Sequence, residues 1–250
     1  MKAISTLNVI LLVLALTAGS TRAGTVYDNT TTDTGGVLML TNNQVVGGEI
    51  FPDQLVAFPY LTNFSFEYYS PTIGLNYLNP LLWPGGSGQV RADIKFYRND
   101  GVATNGYLSP GTLFYDTGWF DILNPLAYTS GTSNRITYTF GWADLYTPGN
   151  PLVPISPGLA LPSDFTVVYQ FDGLTNGNQL GLPIFQPPTV GTNYGDYWLL
   201  NNTGNWELAT NVAGPVAFGQ RFISDTPEPS MLSLGTLGAL LLGGLLKRRK

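Results

Sequence analysis

The chain has 250 residues, no cysteine, no histidine and a formal net charge of −5. Without cysteine there is no disulfide framework and no thiolate chemistry; without histidine there is no Ser-His-Asp or Cys-His mechanism, no imidazole base and no His-ligated zinc or haem. Carboxylates, hydroxyls, a few cations and oxygen-ligated hard metals are the chemistry that remains.

At the N-terminus Lys2 precedes the apolar run Val9 to Leu16, and Thr21-Arg22-Ala23 puts small residues at the −3 and −1 positions of a cleavage site. This predicts a signal peptide over 1–23, cut between Ala23 and Gly24, with Ala18-Gly19 as the second choice. The apolar run is too short for a retained membrane span.

From 24 to 226 the sequence reads as one β-sandwich domain, and a single core accommodates that length. Period-two alternation of apolar and polar residues dominates. In chain order it predicts strands at Gly36–Leu40, Glu49–Val56, Phe64–Tyr68, Val90–Phe96, Thr112–Asp116, Arg135–Phe140, Phe165–Phe171, Tyr197–Leu200 and Val216–Ile223. Glycine and proline recur too often for long helices, and no stretch of the body carries an apolar stripe of helical period. Strands at these spacings predict an all-β fold, an antiparallel β-sandwich that is jelly-roll-like. Two stretches rich in proline, Ser70–Gly88 and Tyr146–Pro162, read as long irregular segments that cover the sheet edges, with a binding role for such loops as the alternative.

The body carries fifteen acidic and five basic side chains. Such a surface cannot gather phosphates, so nucleic acid is excluded as a partner. Trp83, between Leu82 and Pro84-Gly85-Gly86, is the candidate for stacking on a sugar ring, with Trp206, Tyr60 and Tyr77 in support. Trp119, Trp142 and Trp198 lie in or beside strands, where packing explains them. Asn99 and Asp100 with Asn105, and Asp172 with Asn176 and Asn178, are candidates for structural calcium, although turn chemistry accounts for both groups and neither has EF-hand spacing. No other cofactor is implied. For catalysis the inventory leaves carboxylate pairs of the glycosidase kind, Glu67 with Asp93 or Asp116 with Asp121. No catalytic motif surrounds them, and the chain is read as not an enzyme.

Residues 227–250 are different in kind. Pro227-Glu228-Pro229 is followed by the uncharged segment Met231 to Leu246, then by Lys247, Arg248, Arg249 and Lys250. As a helix the segment reaches about 24 Å, slightly short of a hydrocarbon core of about 30 Å, and the terminal cations extend it by snorkelling to the headgroups. Pro229 cannot sit inside that helix, and the basic stop belongs on the cytoplasmic side, which places everything before Pro227 outside.

A Pro-Glu-Pro turn, one apolar segment and a basic end, behind an N-terminal leader, closely resemble the PEP-CTERM sorting signal of exported bacterial proteins. The resemblance implies recognition by exosortase, a membrane-embedded processing enzyme, and cutting near Pro227, Glu228 and Pro229. It also implies a Gram-negative source that makes extracellular polysaccharide. The body is similar to ectodomains that commonly precede such tails, on Tyr27-Asp28-Asn29, Gly48-Glu49-Ile50, Leu61 to Phe66, Phe96 to Gly101, Pro110 to Asp116, Phe165-Thr166-Val167 and Asp196-Tyr197-Trp198. That likeness implies a β-sandwich and supplies no catalytic residue.

The expected protein is therefore an exported structural component of the cell surface or the exopolysaccharide matrix, held in the membrane by its C-terminal helix before processing. A carbohydrate-binding module is the alternative, and a carboxylate-based glycoside hydrolase is third. Replacing Pro227-Glu228-Pro229 by alanines is expected to leave export intact and abolish C-terminal processing; an unchanged mature mass in the variant would refute this.

Overall fold

A computed structural model describes residues 23–53, 55, 60–70, 90–122, 135–141, 146–147, 150–154, 158–174, 179–210 and 214–225. The expected sorting tail over 227–250, Trp83, Tyr77, Trp142, Asn176, Asn178 and the part of the expected leader before Ala23 lie outside these residues.

Among the described residues eighteen strands account for the regular structure. The first nine are β1 (Ala23–Asp28), β2 (Asp33–Leu40), β3 (Val45–Phe51), β4 (Tyr60–Tyr69), β5 (Arg91–Arg98), β6 (Ala103–Thr104), β7 (Tyr107–Leu108), β8 (Leu113–Asp116) and β9 (Phe120–Asp121). The rest are β10 (Arg135–Phe140), β11 (Tyr146–Thr147), β12 (Asn150–Pro154), β13 (Leu159–Ala160), β14 (Phe165–Asp172), β15 (Leu180–Phe185), β16 (Thr192–Leu200), β17 (Trp206–Ala209) and β18 (Gln220–Asp225). No helix long and apolar enough to cross a membrane occurs among the described residues, and the segment 231–246 is not among them.

All pairings are antiparallel. The first sheet runs β1-β18-β4-β15-β2, with β10 and β13 also on β4; the second runs β17-β16-β3-β14-β5-β8, with β9 on β5. The ribbons β6–β7 and β11–β12 stand apart from both. The chain changes sheet between β2, β3, β4 and β5 and again between β14, β15 and β16, so neighbours in sequence face each other across the core.

Alternation puts Phe64, Phe66 and Tyr68 of β4 on the core side, and all are buried. Across from them are Phe96 on β5 with Phe165 and Tyr169 on β14. Phe64 meets Phe96 at a ring-centroid distance of 5.3 Å, Phe66 meets Tyr169 at 5.5 Å and Phe165 meets Phe222 of β18 at 5.6 Å. These offset and edge-on contacts between the sheets are the core of a two-layer sandwich. Two of the buried phenols find partners: Tyr169 Oη donates to Gln220 Oε1 at 2.7 Å and Tyr68 Oη to the Ile122 carbonyl at 2.8 Å.

Expectation and structure differ at identifiable places. The strand expected over 49–56 ends at Phe51 and begins at Val45, because Val46 and the paired glycines Gly47 and Gly48 lie inside the sheet. The stretch 146–162 is not wholly irregular: it holds β11, β12 and β13, and β13 pairs with Leu61 and Tyr60. β15 carries no alternation because all six of its residues are buried. Trp198 is a packing residue at 1% exposure, whereas Trp119 is 41% exposed with the Arg91 guanidinium over its ring, not a core residue.

Phe222 is fully buried and touches the rings of Tyr27, Phe64, Phe96 and Phe165. Phe222→Ala is expected to cost about 3–5 kcal/mol of stability, read as a lower urea midpoint. Met39→Ala, at an exposed position on β2, is the control and is expected to stay within about 0.5 kcal/mol.

Candidate functional site on the outer face of the second sheet

Register decides which polar side chains meet on this face. Thr166 of β14 is paired with Glu49 of β3 on one side and with Tyr97 of β5 on the other. Their neighbours Ile50, Val167 and Phe96 point into the core, so these three point away from it. Asn99, the first residue beyond β5, ties the row together. Its Nδ2 donates to Glu49 Oε1 at 2.7 Å and to Asp164 Oδ2 at 3.2 Å, while its Oδ1 accepts from Thr166 Oγ1 at 2.7 Å. Ser163 Oγ donates to Asp164 Oδ1 at 2.9 Å.

Although this is the face away from the core, Glu49, Asn99 and Thr166 are 6%, 7% and 0% exposed. Two arms produce the burial. Asn105 and Gly106, both at positive φ, form the two-residue turn of the β6–β7 hairpin. That hairpin brings Tyr107 to Tyr194 of β16, ring centroids 4.4 Å apart and planes at 84°. Tyr194 also meets Phe51 at 4.9 Å and 82°. From the opposite edge Trp206 of β17 reaches Tyr97 of β5, ring centroids 6.0 Å apart. In a flat sheet strands β17 and β5 would stand about 19 Å apart. The face is therefore concave, with Val168 and Trp198 buried beneath the rim. Trp198 is paired with Gly47, where an added Cβ would come within 2.6 Å of Thr166 Cγ2.

Burial first, and then the charge of Asp164, push the Glu49 carboxyl up to about 7, against the opposing hydrogen bond from Asn99. The ion pairs of the described residues all lie elsewhere: Arg91 with Asp172, Lys95 with Asp93 and Asp116, Arg135 with Asp33, and Arg221 with Asp28. Arg98 lies over the ring of Phe114. A second polar group sits further along β5, where Lys95 Nζ is 3.0 Å from Asp93 Oδ2 and 3.4 Å from Asp116 Oδ2. Burial and the neighbouring Asp116 raise the Asp93 carboxyl, and Lys95 opposes them.

The residues singled out in the sequence are distributed as follows. Ala23 and Gly24 open β1, where they pair with Asp225 and Ser224. Trp206 is half-buried at the rim, and Tyr60 opens β4 in the other sheet. Asn99 belongs to the site, but Asp100 does not; its Oδ1 caps the Thr112 amide at 2.6 Å, as a turn residue does. Asp172 is held by Arg91 and by the Gly173 amide. Among the described residues no group of three or more acidic side chains is placed to hold a metal ion. The pair Glu67 and Asp93 is not brought together, because β4 and β5 belong to different sheets. Asp121 is opposite Arg91 and Asp116 opposite Lys95, about 13 Å apart along β5. Glu49 and Asp164 as partners escaped the sequence reading. The available clue was an acid amid the apolar and glycine residues of Val45–Phe51, where alternation requires it to find a partner.

A carboxyl whose folded pKa is raised binds its proton more tightly in the native state, so its contribution to stability is present at low pH and lost as pH rises. For Glu49 the window runs from its ordinary 4.5 up to about 7. Glu67 and Asp93 are also raised and act in the same sense, whereas the lowered Asp33, Asp100 and Asp172 act below the ordinary Asp range. Glu49→Gln is thus expected to flatten the decline in Tm between pH 5 and about 7; an unaltered decline would contradict the assignment.

No protein-family model matches the chain, and neither a curated protein nor a solved structure matches it.

Proposed function

We propose that this chain is an exported, non-enzymatic component of the cell surface or of an exopolysaccharide matrix, sorted by a PEP-CTERM/exosortase-type system. Support comes from the order of its parts: leader, acidic β-sandwich, Pro227-Glu228-Pro229, apolar segment and basic stop. On this reading the segment 231–246 is a transmembrane helix until processing, and the sandwich between the sheet-changing connections is wound in the jelly-roll manner.

The geometric observation that favours it is the pairing of β1 with β18. Ala23 is the ladder partner of Asp225. Both segments that deal with the membrane therefore join the domain at one point, and removing them leaves the ladder from Gly24–Ser224 onward intact. A domain tethered this way presents its remaining surface outward whether it stays anchored or is released.

Carbohydrate binding is the second reading, and the concave face favours it. Tyr107 with Tyr194 and Tyr97 with Trp206 form an aromatic rim around buried hydrogen-bonding groups, the arrangement that stacks on sugar rings and orients their hydroxyls.

Intact-mass measurement of the protein recovered from the envelope and the culture medium tests the first reading. The expected species begins near Gly24 and ends near Pro229. A species that keeps Lys247 to Lys250 would make the chain a plain membrane-anchored ectodomain and remove the support for a matrix component.

A further inference from the structure

The alternation that sends Ile94 and Phe96 of β5 into the core leaves Asp93, Lys95 and Tyr97 in a row on the concave face, each about 6.6 Å from the next. Lys95 Nζ lies 3.0 Å from Asp93 Oδ2 and 3.4 Å from Asp116 Oδ2 on the neighbouring strand β8, so two acids share one cation. Asp93 is only 4% exposed, and its other oxygen, Oδ1, is buried without a hydrogen-bond partner among the described residues. A buried carboxyl oxygen in that state is an unmet demand for a donor.

Tyr97 ends the row with an aromatic surface. Trp206, on the arm formed by β16 and β17, reaches over to it, ring centroids 6.0 Å apart and planes at 71°. Both residues are half-buried, so each keeps part of its ring open to the face. Val168, paired with Lys95, is buried beneath. Of the polar group itself, Lys95 reaches solvent, with a side chain 27% exposed against 5% for Asp93. Because Lys95 is bonded to two acids, it can swing wholly onto Asp116 on its flexible stem and still keep a counter-ion. That movement opens Asp93 to the face.

We propose that this row is the binding site of a neutral, hydroxyl-rich saccharide, with Asp93 accepting from its hydroxyls, Lys95 donating to them and Tyr97 and Trp206 packing on its rings. A hydroxyl is donor and acceptor at once, so two adjacent hydroxyls of one sugar meet the needs of Asp93 and Lys95 together. The apolar face of the sugar ring matches the aromatic surface beside them. A metal ion or an ammonium would have to displace Lys95, which already lies between the acids. A polyuronate would be set against two carboxylates, and an apolar segment would leave the Asp93 oxygen without its donor. The proposal rests on the carbohydrate-binding reading above and gives that reading its residues and the charge class of its ligand.

The test starts with the full chain, purified in detergent, on an immobilised panel of hexasaccharides: neutral hexoses of several linkages, hexosamines with free amines, and uronates. At least one neutral hexamer is expected to bind, more tightly than any amine or uronate. In calorimetric titration its fully O-methylated counterpart, which has no hydroxyl donors, is expected to bind at least about tenfold more weakly. Asp93→Asn and Trp206→Ala are each expected to weaken the neutral hexamer about tenfold, whereas Trp206→Phe, which keeps a ring, retains most of the affinity. The two Trp206 variants serve if Asp93→Asn misfolds. Absence of binding across the whole panel would overturn both this site and the carbohydrate reading. A neutral hexamer that the wild type, Asp93→Asn and Trp206→Ala bind equally would refute the site and leave the carbohydrate reading standing. Tighter binding of an amine or a uronate would refute the ligand class.

Discussion

Four phenylalanines hold this domain together: Phe64 and Phe222 from one sheet, Phe96 and Phe165 from the other. Each ring touches at least two of the other three, and all four are fully buried. With no disulfide available, sheet-to-sheet cohesion comes from apolar burial and aromatic packing. The strands that carry the four rings, β4, β18, β5 and β14, are central in their sheets. The edges are then free to differ in length and shape, and the short strands β8, β9, β13 and β17 occur there.

That division of labour explains the outer face of the second sheet. Once β5 and β14 are fixed by their inward rings, the outward positions of the same strands are fixed too, since side chains alternate across a strand. Thr166, Tyr97, Lys95 and Asp93 are therefore placed by Phe165, Phe96 and Ile94. The two arms then convert an exposed surface into a concave one. Burying Glu49 beside Asp164 is costly for two like charges, and the cost appears as the raised carboxyl of Glu49. Asn99 offsets part of it by donating to both acids, which is why this residue is buried while Asp100, next to it, caps an exposed turn.

The ends of the domain follow from the first sheet. β18 lies between β4 and β1, so the strand that leads to the C-terminal segment is also the one on which the N-terminal strand docks. In the sequence the acidic body and the basic end of the chain are separated by 227–230 and the uncharged segment 231–246.

How much of this was legible beforehand depended on burial. Strands with one face in the core and one in solvent, such as Arg135–Phe140, announce themselves by alternation, and β10 spans those residues. β15 did not, because both of its faces are covered and Leu180 to Phe185 reads as an unpatterned run with a glycine and a proline. β1 was hidden because Ala23–Asp28 is short and follows closely on the apolar run Val9 to Leu16. The fold class and the absence of thiol and imidazole side chains were determined by the sequence alone, since each rests on composition or on local periodicity. Which acids become neighbours, that Trp198 is buried while Trp119 is not, and that Ala23 meets Asp225 were decided only by tertiary structure. Those facts depend on pairings between residues far apart in the chain, and no local pattern encodes them.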